Sequence, residues 1–391
     1  MSSDQLMADK AFEDFKHQQH QDISAYNNAT QQEFLQYKKQ LDAGFIDLQK
    51  AYQQASNQYQ EQMTSRWGSF KESDHETWVN YAEDGQTRQS VNFATGVVEV
   101  DILANRNETL AAIKQQAMQS VTRLLATTEK QAFENDVVAQ KVEARLKQHA
   151  AVVKTSKLST QHKVMSALVS DISQASKSEI KELSSQFINT TKVTEKKLND
   201  KQKIVKLTFK IPEKLSNKAA RYSARVKQIA SKENIPISLV FAVIETESNF
   251  NPLAKSHVPA YGLMQIVPMS AGKDASKYLF GQEKVLSPSY LYNGDNNIAI
   301  GGAYLHILYH QYLNKIDDKV SRLFCTIAAY NTGTGNVAKS FTGSSNMNNA
   351  VSKINAMTAS EVYRHLRKNL PYDETKKYIK RVATRLAKYQ S

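Results

Sequence analysis

The run Ile235-Pro236-Ile237-Ser238-Leu239-Val240-Phe241-Ala242-Val243-Ile244-Glu245-Thr246-Glu247-Ser248-Asn249-Phe250-Asn251-Pro252 carries the densest chemistry of this 391-residue chain. Pro236 suits the first turn of a helix, and Leu239, Val240, Val243 and Ile244 give that helix an apolar face. Asn251-Pro252 stops it. Two carboxylates lie near its end. Glu245 and Glu247 are two positions apart, about 200° around a helix, so they point to opposite sides. They cannot act on each other as the two carboxylates of a glycosidase pair. At most one of them faces any single cleft. A Glu beside Val243, Phe250, Leu263 and Met264 would be desolvated, which raises a carboxyl pKa and keeps it protonated, as a general acid requires. Periodicity alone favours the plainer alternative, a surface Glu beside an Asn-Pro stop.

Outward from this helix, residues 212–391 read as helices joined by short polar loops. Upstream, Val205, Leu207, Phe209 and Ile211 alternate with Lys206, Thr208 and Lys210, the period of a strand that Pro212 ends. Further upstream, Trp78–Ala82, Thr87–Phe93 and Val97–Leu103 are short β-branched or aromatic runs separated by turns containing Gly85 and Gly96. They predict an antiparallel three-stranded meander, which the strand at 205–211 would complete. Between them, residues 107–200 read as helical. Asn107 or Thr109 would cap a helix through Leu110, Ile113, Ala117, Val121 and Leu124. The Ser-, Lys- and Thr-rich stretch 150–200 keeps Val164, Leu168 and Ile172 at helical spacing and predicts exposed or mobile helices. Residues 5–66 are Gln-rich and lack Pro. Leu41, Phe45, Leu48, Tyr52, Ala55 and Tyr59 recur there at spacings of four and three, a stripe for packing one long helix on the rest of the chain or on a second copy. The expected fold class is α+β, divided into a helical segment 1–66, an α+β unit 67–211 and a mainly α unit 212–391.

Composition excludes several classes. Apolar residues make up 41% of the chain, enough for real cores. One cysteine, Cys325, rules out a disulfide scaffold or a Cys-based zinc cluster, and its apolar surroundings predict a buried, inert thiol. No stretch approaches the roughly eighteen consecutive apolar residues of a membrane-spanning helix. His306 and His310 are four apart, but no third ligand accompanies them, so a structural pair is expected rather than a metal site. The formal charge is +13, and it is uneven: residues 211–391 hold 24 basic and 12 acidic side chains. A basic module suits an anionic partner, whether nucleic acid, lipid surface or acidic polymer. The aromatic-basic motifs of nucleic-acid binders are missing.

Glu247-Ser248-Asn249-Phe250-Asn251-Pro252, then Ser256, then Gly262-Leu263-Met264-Gln265, then Ala329-Tyr330-Asn331 with Gly333 and Gly335, resemble in order and spacing the catalytic domain of soluble-type lytic murein transglycosylases. That domain is lysozyme-like. Leu370-Pro371-Tyr372-Asp373-Glu374-Thr375-Lys376-Lys377-Tyr378 extends the resemblance towards the C-terminus. Thr87-Arg88 and Val91-Asn92-Phe93 resemble the N-terminal domain of the membrane-bound C type. The resemblance therefore implies a lysozyme-like domain at 212–391 behind an α+β domain with a small sheet, with the helix at 5–66 outside it.

By position, the resemblance makes Glu247 the single catalytic acid and base. It implies cleavage of the β-1,4 bond between N-acetylmuramic acid and N-acetylglucosamine without water, leaving a 1,6-anhydro end. The other readings are a hydrolytic muramidase and a catalytically weak peptidoglycan-binding protein. Ser248 and Ser256 carry over as groups orienting Glu247 or the substrate acetamido group, and either would also serve as a turn hydroxyl. Gly262 belongs to the loop, Gln265 would hydrogen-bond a sugar, and Met264 would line the cleft or fill the core. Tyr330 suits sugar stacking, Asn331 accompanies it, and Tyr378 would approach Glu247 or sit buried in its helix. Pro259 departs from the Gly common at this position and reshapes the loop of Ser256. No cofactor or metal is implied. The implied partners are peptidoglycan strands, plus envelope proteins through the N-terminal region. The implied location is the periplasm or outer membrane of a Gram-negative bacterium. The first thirty residues show no signal peptide and no lipid-carrying cysteine, so a leader removed upstream is expected.

Overall fold

The computed structural model describes residues 3–390. Helix α1 (Ser3–Trp67) spans 65 residues, about 98 Å at 1.5 Å per residue. Its described side chains from 16 to 36 are exposed, whereas Leu41, Phe45, Leu48, Tyr52 and Ala55 are buried. The stripe therefore seats the C-terminal half of α1 on the rest of the chain, beside α4 (Val137–Leu146). Asp47 holds that contact by pairing with Arg145 at 3.2 Å and His149 at 2.8 Å.

After α1 come β1 (Thr77–Tyr81), β2 (Thr87–Asn92) and β3 (Val97–Asn105), the expected meander. Next are α2 (Leu110–Ala126), capped by Thr109, and α3 (Glu129–Asn135), which leads into α4. Strand β6 (Gln202–Lys210) joins the sheet against β3, with Val98 opposite Phe209, Val100 opposite Leu207 and Ile102 opposite Val205. These six side chains are all buried. They meet Ile113, Ala117, Val121 and Leu124 of α2 and the face of α5 (Lys177–Asn189). On the other face, Trp67 covers the buried Arg88–Asp101 pair, the guanidinium lying 4.8 Å from the ring.

Two expectations fail in 150–200. Val164, Leu168 and Ile172 are not exposed and lie in no α-helix. All three are buried, in or beside 3₁₀ turns at Val164–Ala167 and Ser170–Ser173. Ser166 donates to the Lys163 carbonyl at 2.7 Å, a local bond that competes with helix continuation. Lys192–Lys197 is a strand, β5, at the outer edge of a five-stranded antiparallel sheet ordered β1-β2-β3-β6-β5. An edge strand needs little apolar surface, and lysines there discourage pairing with other chains. The alternation that announces a strand is correspondingly faint.

The C-terminal half begins with α6 (Ser223–Lys232) and α7 (Ile237–Ser248). It continues through α8 (Lys273–Phe280), α9 (Pro288–Tyr292) and α10 (Gly294–His306). Then follow α11 (Lys319–Thr332), α12 (Thr334–Thr342), α13 (Met347–Asn355), α14 (Ala359–Asn369) and α15 (Asp373–Lys388). A short parallel pair, β4 (Val153–Lys154) with β7 (Val285–Leu286), stitches the two halves together. So does Glu143, whose carboxylate accepts from the Ser287 and Ser289 hydroxyls at 3.1 and 2.6 Å. Apolar burial runs without a break from Leu41 to Leu386.

Candidate active site

Helix α7 is the axis of the site. Leu239 through Ile244 are all buried, so it runs through the core rather than along the surface. Pro236 stands at its N-cap, one position earlier than expected. The helix ends at Ser248, before the Asn-Pro pair. Asn249 and Phe250 both take left-handed φ, 49° and 66°. Two consecutive non-glycine residues in that region are strained and persist only when their surroundings hold them. Asn249 donates to Glu76 at 2.8 Å, and the buried Phe250 ring stacks on Tyr222.

The helical period sends the two carboxylates apart. Glu245 meets Lys388 at 2.9 Å, Arg385 at 3.6 Å and the Tyr389 hydroxyl at 2.7 Å. Burial alone would raise its pKa, but the Tyr389 and Lys388 hydrogen bonds hold it below the ordinary value. Glu247 faces a cavity of about 480 Å³. Burial pushes its carboxyl up to about 7, with help from Glu374 and against Tyr378 and Arg381. Two glutamates two positions apart thus titrate on opposite sides of their usual value.

The cavity brings together Glu247, Ser256, Asn331 and Tyr378 of the expected site. The Tyr378 hydroxyl is buried short of full hydrogen-bond geometry with any partner, and it faces the Glu247 carboxyl closely enough to act on its titration. Asn331 accepts from Thr375 at 2.7 Å, tying α11 to α15 at the cavity wall. Ser256 turns its hydroxyl onto the Val258 carbonyl of its own loop, while its carbonyl accepts from Tyr52 of α1 at 2.9 Å.

The other expected residues are not among those that line this cavity. Ser248 is fully buried and shares its hydroxyl proton between the Ile244 and Leu263 carbonyls, so it locks the following loop to α7 rather than reaching a substrate. Met264 is likewise fully buried against Gly301 and is a core residue, not cleft wall. Gly262 has φ of 74°, and a Cβ there would lie 2.4 Å from the Asn297 amide nitrogen and 2.5 Å from the Leu291 carbonyl oxygen. Its role is close backbone approach. Gln265 folds back on the Gly262 carbonyl at 3.0 Å. Tyr330 donates to the Met264 carbonyl at 2.8 Å, so its hydroxyl clamps the loop.

Sequence reasoning missed five lining residues and one support; one of the five, Thr246, is the neighbour of Glu247 on α7 and donates to the Ala242 carbonyl at 2.7 Å. His75 enters the cavity from the segment before β1, a contact that nothing local in the chain announces. Glu374, Lys377 and Arg381 line it from α15, and the first two lie inside the Leu370–Tyr378 run that carried the resemblance. The support is Asn297, wholly buried. Its amide nitrogen donates to the Tyr261 and Leu291 carbonyls, and its amide oxygen accepts from Met264. His306 and His310 donate to the backbone carbonyls of Glu233 and Asn234 at 2.8 and 2.9 Å, closing the end of α6. Among the described residues no cluster of three His, Cys, Asp or Glu side chains is placed to hold a metal.

A family model, the transglycosylase SLT domain, matches residues 225–353, which hold α7, the Gly262–Gln265 loop and Tyr330-Asn331. The chain belongs to the lytic murein transglycosylases. It is 30% identical over 319 residues to the membrane-bound lytic murein transglycosylase C of Pectobacterium atrosepticum, covering 80% of this chain and 82% of that protein. Against the membrane-bound lytic murein transglycosylase C of Klebsiella pneumoniae the identity is 40% over 180 residues, 46% of this chain and 49% of the relative. That match spans about half the relative's length. Among solved structures, the 70 kDa soluble lytic transglycosylase of Escherichia coli is 28% identical over 43% of this chain and 24% of its own, with a TM-score of 0.33.

Proposed function

We propose that this chain is a peptidoglycan lytic transglycosylase. It cleaves the β-1,4 bond between N-acetylmuramic acid and N-acetylglucosamine and leaves a 1,6-anhydromuramic end. One observation carries the reading: Glu247 is a carboxyl in a substrate-sized cleft, raised by burial to about 7. Such a group is available both as acid and as base near neutral pH. Protonated Glu247 gives its proton to the glycosidic oxygen as that bond breaks. The substrate's own acetamido oxygen stabilises the anomeric carbon, as in substrate-assisted glycosidases. The Glu247 carboxylate then takes the proton of the C6 hydroxyl as that oxygen closes on the anomeric carbon. The facing Tyr378 hydroxyl is available to stabilise the carboxylate between the two steps.

A muramidase reading has one supporting feature, Glu374 on the exposed cavity rim, where a second carboxylate could activate water. Digestion of purified sacculi followed by mass spectrometry of the fragments separates the two. Wild type and Glu374→Gln should both release 1,6-anhydro ends, and Glu247→Gln should release almost nothing. Undiminished release by Glu247→Gln would refute the assignment. Reducing ends that vanish in Glu374→Gln would favour hydrolysis.

The excess charge of residues 211–391 fits steering towards an anionic wall. None of the described helices is long and apolar enough to cross a membrane. In this reading the chain works in the envelope of a Gram-negative bacterium, with catalysis in 212–391. Residues 67–211 and the exposed part of α1 offer surfaces to envelope partners.

A further inference from the structure

Helix α15 carries six basic side chains, three of which are matched by acids. Lys376 pairs with Asp373 at 2.9 Å, and Arg385 and Lys388 share Glu245. Lys377 and Arg381 are different. They lie one turn apart, both line the Glu247 cavity, both are exposed, and neither closes an ion pair among the described residues. Tyr378 sits between them on the same face. The one other acid on this wall is Glu374. While Glu247 carries its proton, two fixed cations therefore face a single carboxylate across a cleft of substrate size. His75 completes the rim from the N-terminal side.

We infer that Lys377 and Arg381 form an anion subsite beside Glu247 that takes a free carboxylate of the peptide stem borne by the reacting muramyl residue. The inference rests on the reading of Glu247 as the acid acting on a muramyl glycan. The geometry favours a group on the reacting sugar because the two cations share a cavity with the proton donor. A strand without stems fills the sugar positions but leaves the two cations to water. A stem carboxylate exchanges that water for a charge-assisted, bidentate contact with the guanidinium. Because a bound carboxylate adds negative charge near Glu247, it helps keep that group protonated for the first step.

The test uses the full chain and three soluble strand preparations: stems with free carboxylates, the same stems amidated, and strands stripped of stems. Wild type should prefer the free-acid stems by about tenfold in kcat/KM, the scale of one charge-assisted contact in a wet cleft, with the difference in KM. Lys377→Gln and Arg381→Gln should each shrink that preference several-fold, and Arg381→Lys should retain most of it. Equal turnover of free and amidated stems by wild type would overturn the inference, as would variants that slow all three substrates by one common factor. Failure of the underlying reading looks different: wild type would then release anhydro ends from none of the strands, and both proposals would fall.

Discussion

Replacing Glu247 by Gln should stabilise the protein at alkaline pH, and the size of the effect follows from the site. A Glu carboxyl ordinarily titrates at 4.5, and in the cleft burial raises it to about 7. Between those values the folded chain keeps a proton that the unfolded chain has released. The folded state then binds more protons, so stability falls as pH rises through this window. The loss begins near pH 4.5 and is complete above about 7. At about 1.4 kcal/mol per pH unit, the full penalty is roughly 3 kcal/mol, an upper bound because the cleft is open to water. Gln cannot ionise and escapes it. Urea denaturation of both proteins at pH 4.5 and pH 8.5 measures the difference directly. Glu247→Gln should gain about 1–3 kcal/mol over wild type on going from the lower to the higher pH. Glu129, which burial also raises to about 7, titrates in both proteins and cancels. A difference between the two proteins that is the same at both pH values would refute the argument that burial, rather than substrate, sets this carboxyl. The same titration predicts that kcat/KM of wild type falls as pH rises past about 7, where the acid form is lost.

Two further outcomes follow from neighbouring contacts. Glu245→Gln should keep most of its activity on sacculi. It should lose about 1 kcal/mol of stability at pH 7, because its partners Lys388 and Arg385 are partly solvated. Since the Glu245 pKa is held below its ordinary 4.5, that cost should shrink as pH falls below 4.5 and vanish once the carboxyl is protonated in the folded chain too. Gly262→Ala should cost about 4 kcal/mol or more, read as a collapse of the thermal transition, because its Cβ would strike Asn297 and the Leu291 carbonyl at a left-handed φ. An unchanged melting temperature would show that the loop has room it lacks here.

Much of this architecture was legible from periodicity. The α1 stripe, the meander and the strand at 205–211 are signals in which one face is apolar and the other polar, and burial of the apolar face is a sufficient instruction. The opposition of Glu245 and Glu247 was equally legible, because the helical period alone separates them. What periodicity misread was 150–200. There, short 3₁₀ turns bury Val164, Leu168 and Ile172 through tertiary contacts, and the edge strand Lys192–Lys197 has little apolar surface to show.

The site divides along the same line. By itself the sequence singled out Glu247 as the residue proposed to bear the acid chemistry, since the Glu247-to-Asn331 motifs carry the resemblance in order. Tertiary structure decided what the accompanying residues do. Ser248, Gly262, Met264 and Tyr330 belong to the quoted motifs, yet they brace the loop from behind, bonded to or packed against main chain. His75 and Arg381 lie outside the quoted motifs, and they line the cavity because the segment before β1 and α15 both reach the end of α7. A motif records that a residue type is required at a position. Whether its side chain faces the cleft or the core depends on which distant segments close around it, and no local pattern encodes that.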